Sequence, residues 1–148
     1  MNVEESIKTD KALPQSSKTI IHLLLVHNKI NEALSLALKP FEVSLQQFNV
    51  LRILRGQQGK AANLSTLNER MVTKMSNTTR LVDKLIAKDL VKREVCESNR
   101  RKVDIYITTQ GINALEKMDQ VMLVTENDIL KNLTPTDKEQ LNSLLHKF

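Results

Sequence analysis

Lys74, Ser76, Asn77, Thr79 and Arg80 lie just ahead of an apolar set at Leu81, Val82, Leu85 and Ile86. On a helix, this order displays ammonium, hydroxyl, amide and guanidinium groups at an exposed start and anchors the opposite face in a core. Those are base-reading groups: Asn pairs bidentately with adenine, Arg with guanine, and hydroxyls serve either. Lys84 adds a cation one turn later. Downstream, Arg100, Arg101 and Lys102 sit between two short alternating segments, Val91–Val95 and Val103–Ile107. A polar-faced helix followed by a hairpin tipped with three cations is the layout of a winged helix-turn-helix. Its helix enters a DNA major groove, and its basic wing reaches the neighbouring backbone or minor groove. Taken singly, the helix residues could be caps and solvated groups, and the cations a solvated loop. Their succession in one segment favours DNA.

Charge distribution supports this. Residues 70–102 hold ten Lys/Arg against four Asp/Glu, which accounts for the whole chain's formal excess of +5. Such a concentrated footprint suits a polyanion. Aromatic residues make up only 3% of the chain, which argues against single-strand or RNA binding by base stacking. Hydrophobic residues reach 41% of 148, enough for a folded core.

Other chemistries lack their residues. Cys96 is the only cysteine, so no internal disulfide forms and no Cys-based zinc set exists. His22 and His27 are five apart rather than four, and His146 stands alone, so no metal site is expected. Cys96 has basic neighbours that could lower its pKa, yet it reads as a bystander. No phosphate loop, nucleophile motif or paired-carboxylate pattern appears, so neither an enzyme nor a cofactor is expected. The acidic, polar start has no signal-peptide pattern, and residues 19–38 are too interrupted by polar groups to span a membrane. A cytoplasmic protein without membrane attachment is the expectation.

Around the reader, the pattern predicts a frayed arm up to Pro14. A long helix follows to about Lys39, capped by Ser16 or Ser17, with apolar residues on more than one face. Ser44 and Gln47 predict a capping box, with Val43 and Phe48 as a hydrophobic staple and Phe48, Leu51 and Leu54 facing the core. A short helix capped by Asn63 or Ser65 buries Leu67 and Met71. A three- or four-residue turn leads to the polar-faced helix, expected over 74–88 with Thr73 as cap. After the wing, Leu115, Met118, Met122, Thr125 and Ile129 mark a helix over 109–131. Thr134, Pro135 and Asp137 cap a last one that buries Leu141, Leu144, Leu145 and Phe148. The predicted fold is mainly α with a small β-wing, ordered α, α, α, α, β, β, α, α. The flanking helices carry more apolar surface than so small a reader can cover, which predicts a homodimer.

From about Ser17 to Phe148 the sequence resembles the multiple-antibiotic-resistance-regulator (MarR) family of bacterial winged-helix transcription factors. Residues 79–85, 89–93, 99–103 and 107–111 carry the resemblance. They look like the family's recognition helix, first wing strand, basic wing and restart of the dimerisation helix. The resemblance implies one domain over 1–148, with dimerisation helices at 15–39 and 109–148 and a DNA-binding region at 44–108. It implies a homodimer on a near-palindromic operator, usually a repressor released by a small ligand or an oxidant. It also implies that Asp83 pairs with Arg101 and orients the wing; read as a helix residue alone, Asp83 would pair with Arg80. Asn99 stands where the family often has Asp, and Asp89 where it often has Gly.

An inducer pocket is expected between the first long helix and residues 115–122, mainly apolar in lining. The rival readings are a helical protein–protein adaptor that keeps the winged-helix shape without binding DNA, which the basic segment disfavours, and an enzyme, which the missing site chemistry disfavours.

Overall fold

The computed structural model describes residues 2–73, 77–95 and 103–148. Its elements run α1 (Val3–Ser6), α2 (Gln15–Leu38), a 3₁₀ turn (Lys39–Phe41), α3 (Leu45–Gly56), α4 (Leu64–Arg70), α5 (Thr78–Ile86), β1 (Val91–Val95), β2 (Val103–Ile107), α6 (Thr109–Ile129) and α7 (Pro135–Leu145). The predicted order holds, with α1 added at the front. The expected frayed arm is instead anchored. Asn2 caps α1, Val3 is buried, and Glu4 pairs with Lys18 of α2 at 2.8 Å. The Lys18 ammonium holds the Glu4 carboxyl below the usual range.

Two other boundaries differ from expectation. α2 starts at Gln15, because the Pro14 carbonyl already accepts the Lys18 N–H at 2.9 Å; neither Ser16 nor Ser17 is the cap. α5 starts at Thr78 with Asn77 as cap, not at residue 74 with Thr73 as cap. α4 ends at Arg70 and α5 starts at Thr78, so the two are not joined by the predicted three- or four-residue turn.

Elsewhere the local signals hold. Ser44 Oγ accepts the Gln47 N–H at 3.2 Å, and Gln47 Oε1 accepts the Ser44 N–H at 2.9 Å. The reciprocal bonds satisfy two orphan groups of α3 and give the buried Gln47 side-chain oxygen a donor. Asn63 caps α4, and Thr134 with Asp137 forms a capping box on α7.

One apolar core joins the elements. Phe48, Leu51 and Leu54 of α3, Leu67 of α4, Val82 and Leu85 of α5, Ile105 of β2, and Leu115 and Met118 of α6 are all buried in it. Each such side chain contributes about 1.5–3 kcal/mol by leaving water. The reader and the long helix α6 thus share a core. The strands pair antiparallel from Val91 opposite Ile107 to Val95 opposite Val103. Ala62 adds a one-residue third strand: its N–H donates to the Ile105 carbonyl at 3.0 Å and its carbonyl accepts the Ile105 N–H at 2.8 Å. That exchange ties the wing to the segment entering α4.

The outer helices are less covered. In α2 only Leu38 is fully buried, and Ile20, Leu24 and Leu36 are exposed. The last helix was expected to bury Leu141, Leu144, Leu145 and Phe148. All four are exposed instead, Phe148 by 88%, because a single chain offers α7 no opposing surface.

Candidate nucleic-acid interface

α5 is held from behind and open in front. Val82 and Leu85 seal one face in the core, with Leu81 and Ile86 partly buried beside them. Thr79, Arg80, Asp83 and Lys84 share the exposed face. The helix angle is set by Thr78, which is buried and whose hydroxyl donates to Asn68 Oδ1 of α4. Neither residue stood out in the sequence, since a Thr and an Asn ten positions apart carry no local pattern.

Asn77 is exposed, but its Oδ1 accepts the Arg80 N–H at 3.2 Å. The cap bond engages one of that oxygen's two acceptor positions and leaves the amide nitrogen and the second position facing outward. Lys74, Ser76, Arg100, Arg101 and Lys102 lie outside the described residues. The expected partnership of Asp83 with Arg101 therefore also falls outside them. Among the described residues Asp83 pairs with Arg93 of β1, not with Arg80. This contact ties α5 directly to the wing's first strand, a role for Arg93 that the sequence pattern did not mark. On the same strand Lys92 pairs with Glu94 at 2.7 Å and lies 5.2 Å from the Tyr106 ring centre. The hydrogen bond to Glu94 raises the Lys92 pKa.

The far end of α5 turns sharply into the wing. Asp89 has φ +57°, the left-handed conformation glycine adopts freely. Leu90 N–H donates to the Leu85 carbonyl at 3.0 Å, and Asp89 N–H to the Ile86 carbonyl at 2.9 Å. These two bonds make a Schellman closure. The start of α6 grips this corner. Thr108 Oγ1 donates to the Asp89 carbonyl at 2.6 Å and accepts the Gly111 N–H at 2.9 Å, while Thr108 N–H donates to the Leu90 carbonyl at 3.1 Å. The Thr-Thr-x-Gly restart is thus a clamp between the reader and α6. Lys88 Nζ meets Glu42 at 3.0 Å, tying the end of α5 to the α2–α3 corner and holding the Glu42 carboxyl below its ordinary range.

Of the residues expected to line an inducer pocket, three are packed away in the single chain. Leu115, Met118 and Met122 are closed into the core, so they form no cavity wall in this chain. An open cleft of about 760 Å³ lies along Asn31, Glu32, Ser35, Leu36 and Lys39 and the α2–α3 corner. Leu36 and Val43 lie among polar side chains along it.

This arrangement of a capped helix with a polar outer face, clamped to a two-stranded wing beside a long helix, is shared with known proteins. The family model described as "MarR family" matches residues 43–103, which span α3 through the start of β2. A Cys-to-Ser mutant of MarR from E. coli, solved in complex with operator DNA, superposes with a TM-score of 0.75 at 26% identity, covering 84% of this chain and 89% of that one. The match identifies residues 43–103 as a MarR-family region. Similar proteins include the transcriptional regulator PecS of Dickeya dadantii (strain 3937), 27% identical over 118 residues, which are 78% of this chain and 70% of PecS. The transcriptional repressor IacR of Pseudomonas putida is 24% identical over 123 residues, covering 83% of this chain and 72% of IacR. Among the described residues, no helix is long and apolar enough to cross a membrane.

Proposed function

We propose that this protein is a cytoplasmic homodimer of the MarR family that binds a near-palindromic operator in double-stranded DNA, represses transcription there and is released by a small ligand. One observation carries the reading. α5 exposes Thr79, Arg80 and Lys84 on one face while its other face is locked into the core and its flank is tied to the wing. A rigidly backed polar helix can place side chains at base edges with little loss of side-chain freedom.

In this reading Arg80 and Thr79 contact bases, Lys84 contacts phosphate, and Asn77 presents Arg80 by capping the helix. Lys74, Ser76 and the wing cations Arg100, Arg101 and Lys102 add to the footprint, and Asp83 holds the wing through its strand. Residues 15–39 and 109–148 supply the dimer contacts; their exposed Ile20, Leu24, Leu123, Leu144 and Phe148 are surface that a second copy would cover. Dimers bind two half-sites about 34 Å apart, one DNA turn. A ligand releases DNA only by favouring a reader spacing that no longer fits.

An anisotropy titration of the full chain on duplex DNA at rising salt tests this. Each phosphate that the protein neutralises contributes roughly 0.9 to the log–log slope of affinity against salt. A steep slope that flattens when Arg100 and Arg101 become Ala is the expected outcome. Absence of duplex binding at low salt would favour the adaptor reading instead.

A further inference from the structure

We infer that the Arg55–Asp119 ion pair is the positioning contact that sets the angle of the reader on α6, and with it the half-site spacing the dimer accepts. This rests on the two-reader docking proposed above. Arg55 lies in the last turn of α3, inside the reader, and Asp119 lies 64 positions away in α6. Arg55 Nη1 donates to Asp119 Oδ2, and the two side chains are 38% and 34% exposed. Among the described residues it is the only ion pair joining α3, α4, α5 or the wing to α6.

The rest of the joint explains why one pair matters. At the start of α6, Thr108 and Gly111 clamp the Asp89–Leu90 corner and make a fixed point. Beyond it the contact with α3 is apolar, with Leu115, Met118 and Met122 in the same core as Leu51 and Leu54. Apolar contact is non-directional, and methionines accommodate several packings. A guanidinium–carboxylate pair has a preferred planar geometry and so selects one arrangement. From Thr108 to Asp119 the helix rises about 16 Å at 1.5 Å per residue. A slip of about 3 Å at that radius rotates the reader by roughly 10°, enough to move a recognition helix by ångströms and mismatch a half-site. The clamp is the pivot and the ion pair is the lock.

The test uses the full-length dimer and an operator recovered by selection from random duplexes. Duplexes carry the selected spacing, one base pair more, one base pair fewer, or random sequence. The variants are Asp119→Asn, which keeps shape, Arg55→Gln, and the reciprocal exchange Arg55→Asp with Asp119→Arg. Each single variant is expected to bind the selected spacing about two- to fivefold more weakly, the range for a partly exposed pair acting through the competent fraction. Random-duplex affinity should not change, so the preference for the selected spacing narrows, and the reciprocal exchange should restore it. A wild-type spacing profile in the single variants, even with lower melting temperatures, would reduce the pair to a stability contact and overturn the inference alone. A parallel fall on random DNA would also overturn it, by making Arg55 a phosphate contact. A wild-type protein indifferent to spacing would overturn the two-reader docking as well.

Discussion

Replacing Gly111 with alanine puts a methyl group where backbone already sits. A Cβ built there lies 2.1 Å from the Leu90 carbonyl oxygen, 3.0 Å from its carbon and 2.8 Å from Ile107 Cγ1. Non-bonded atoms settle at about 3.5–4.0 Å, so the start of α6 and the α5–β1 corner must part by more than about 1 Å. The oxygen cannot simply swing away, because it accepts the Thr108 N–H at 3.1 Å. Overpacking of this kind costs about 1–3 kcal/mol. Loss of the Thr108–Leu90 bond adds roughly 1 kcal/mol. Better helix propensity returns about 1 kcal/mol. The net is about 2 kcal/mol of destabilisation, or roughly 4–8 °C in Tm for a chain of this size. Urea unfolding at fixed protein concentration measures it. Gly56→Ala is the control, since nothing lies within 4 Å of a Cβ there, and it should be neutral or slightly stabilising. A Gly111→Ala protein as stable as the parent would refute the clamp at the α6 start.

Other substitutions probe the remaining elements. Asp89→Gly should stabilise the protein by about 0.5–1 kcal/mol, because glycine adopts φ +57° without the side-chain penalty; a loss in the same urea assay would contradict the strain assignment. Asn77→Ala should cost about 1 kcal/mol of stability through the lost cap, and Asn77→Ser should restore most of it; base preference that shifts in both variants alike would give Asn77 a direct reading role instead. Arg80→Ala should relax preference at one position per half-site at a cost of about 1–3 kcal/mol, measured by selection on a random library. Leu24→Glu with Leu144→Glu should shift sedimentation toward monomer; an unchanged dimer would place the interface elsewhere.

The parts legible in the sequence were those whose signals are local. Ser44 with Gln47, and Thr134 with Pro135 and Asp137, each form a complete motif within four residues, and both capping boxes are present. The strand limits were legible because alternation runs through 91–95 and resumes at 103, directly after the basic run. The start of α5 was not, because Thr73 and Asn77 are both competent caps. The contact consistent with Asn77, Thr78 on Asn68, crosses between helices. α1 escaped notice because a single buried Val3 and one ion pair hold it, and neither makes a periodic pattern. At the interface, residue types picked out the exposed face of α5, whereas the Asp83–Arg93 and Arg55–Asp119 pairs depend on distances that only the folded chain supplies.

The central claim is that two copies of this reader dock side by side on duplex DNA. Selection of binding sites from a random duplex library by the full-length protein tests it most directly. The account predicts enrichment of an inverted repeat with half-sites about one turn, 10–10.5 base pairs, apart. No enrichment, or a lone half-site without its inverted mate, would contradict it.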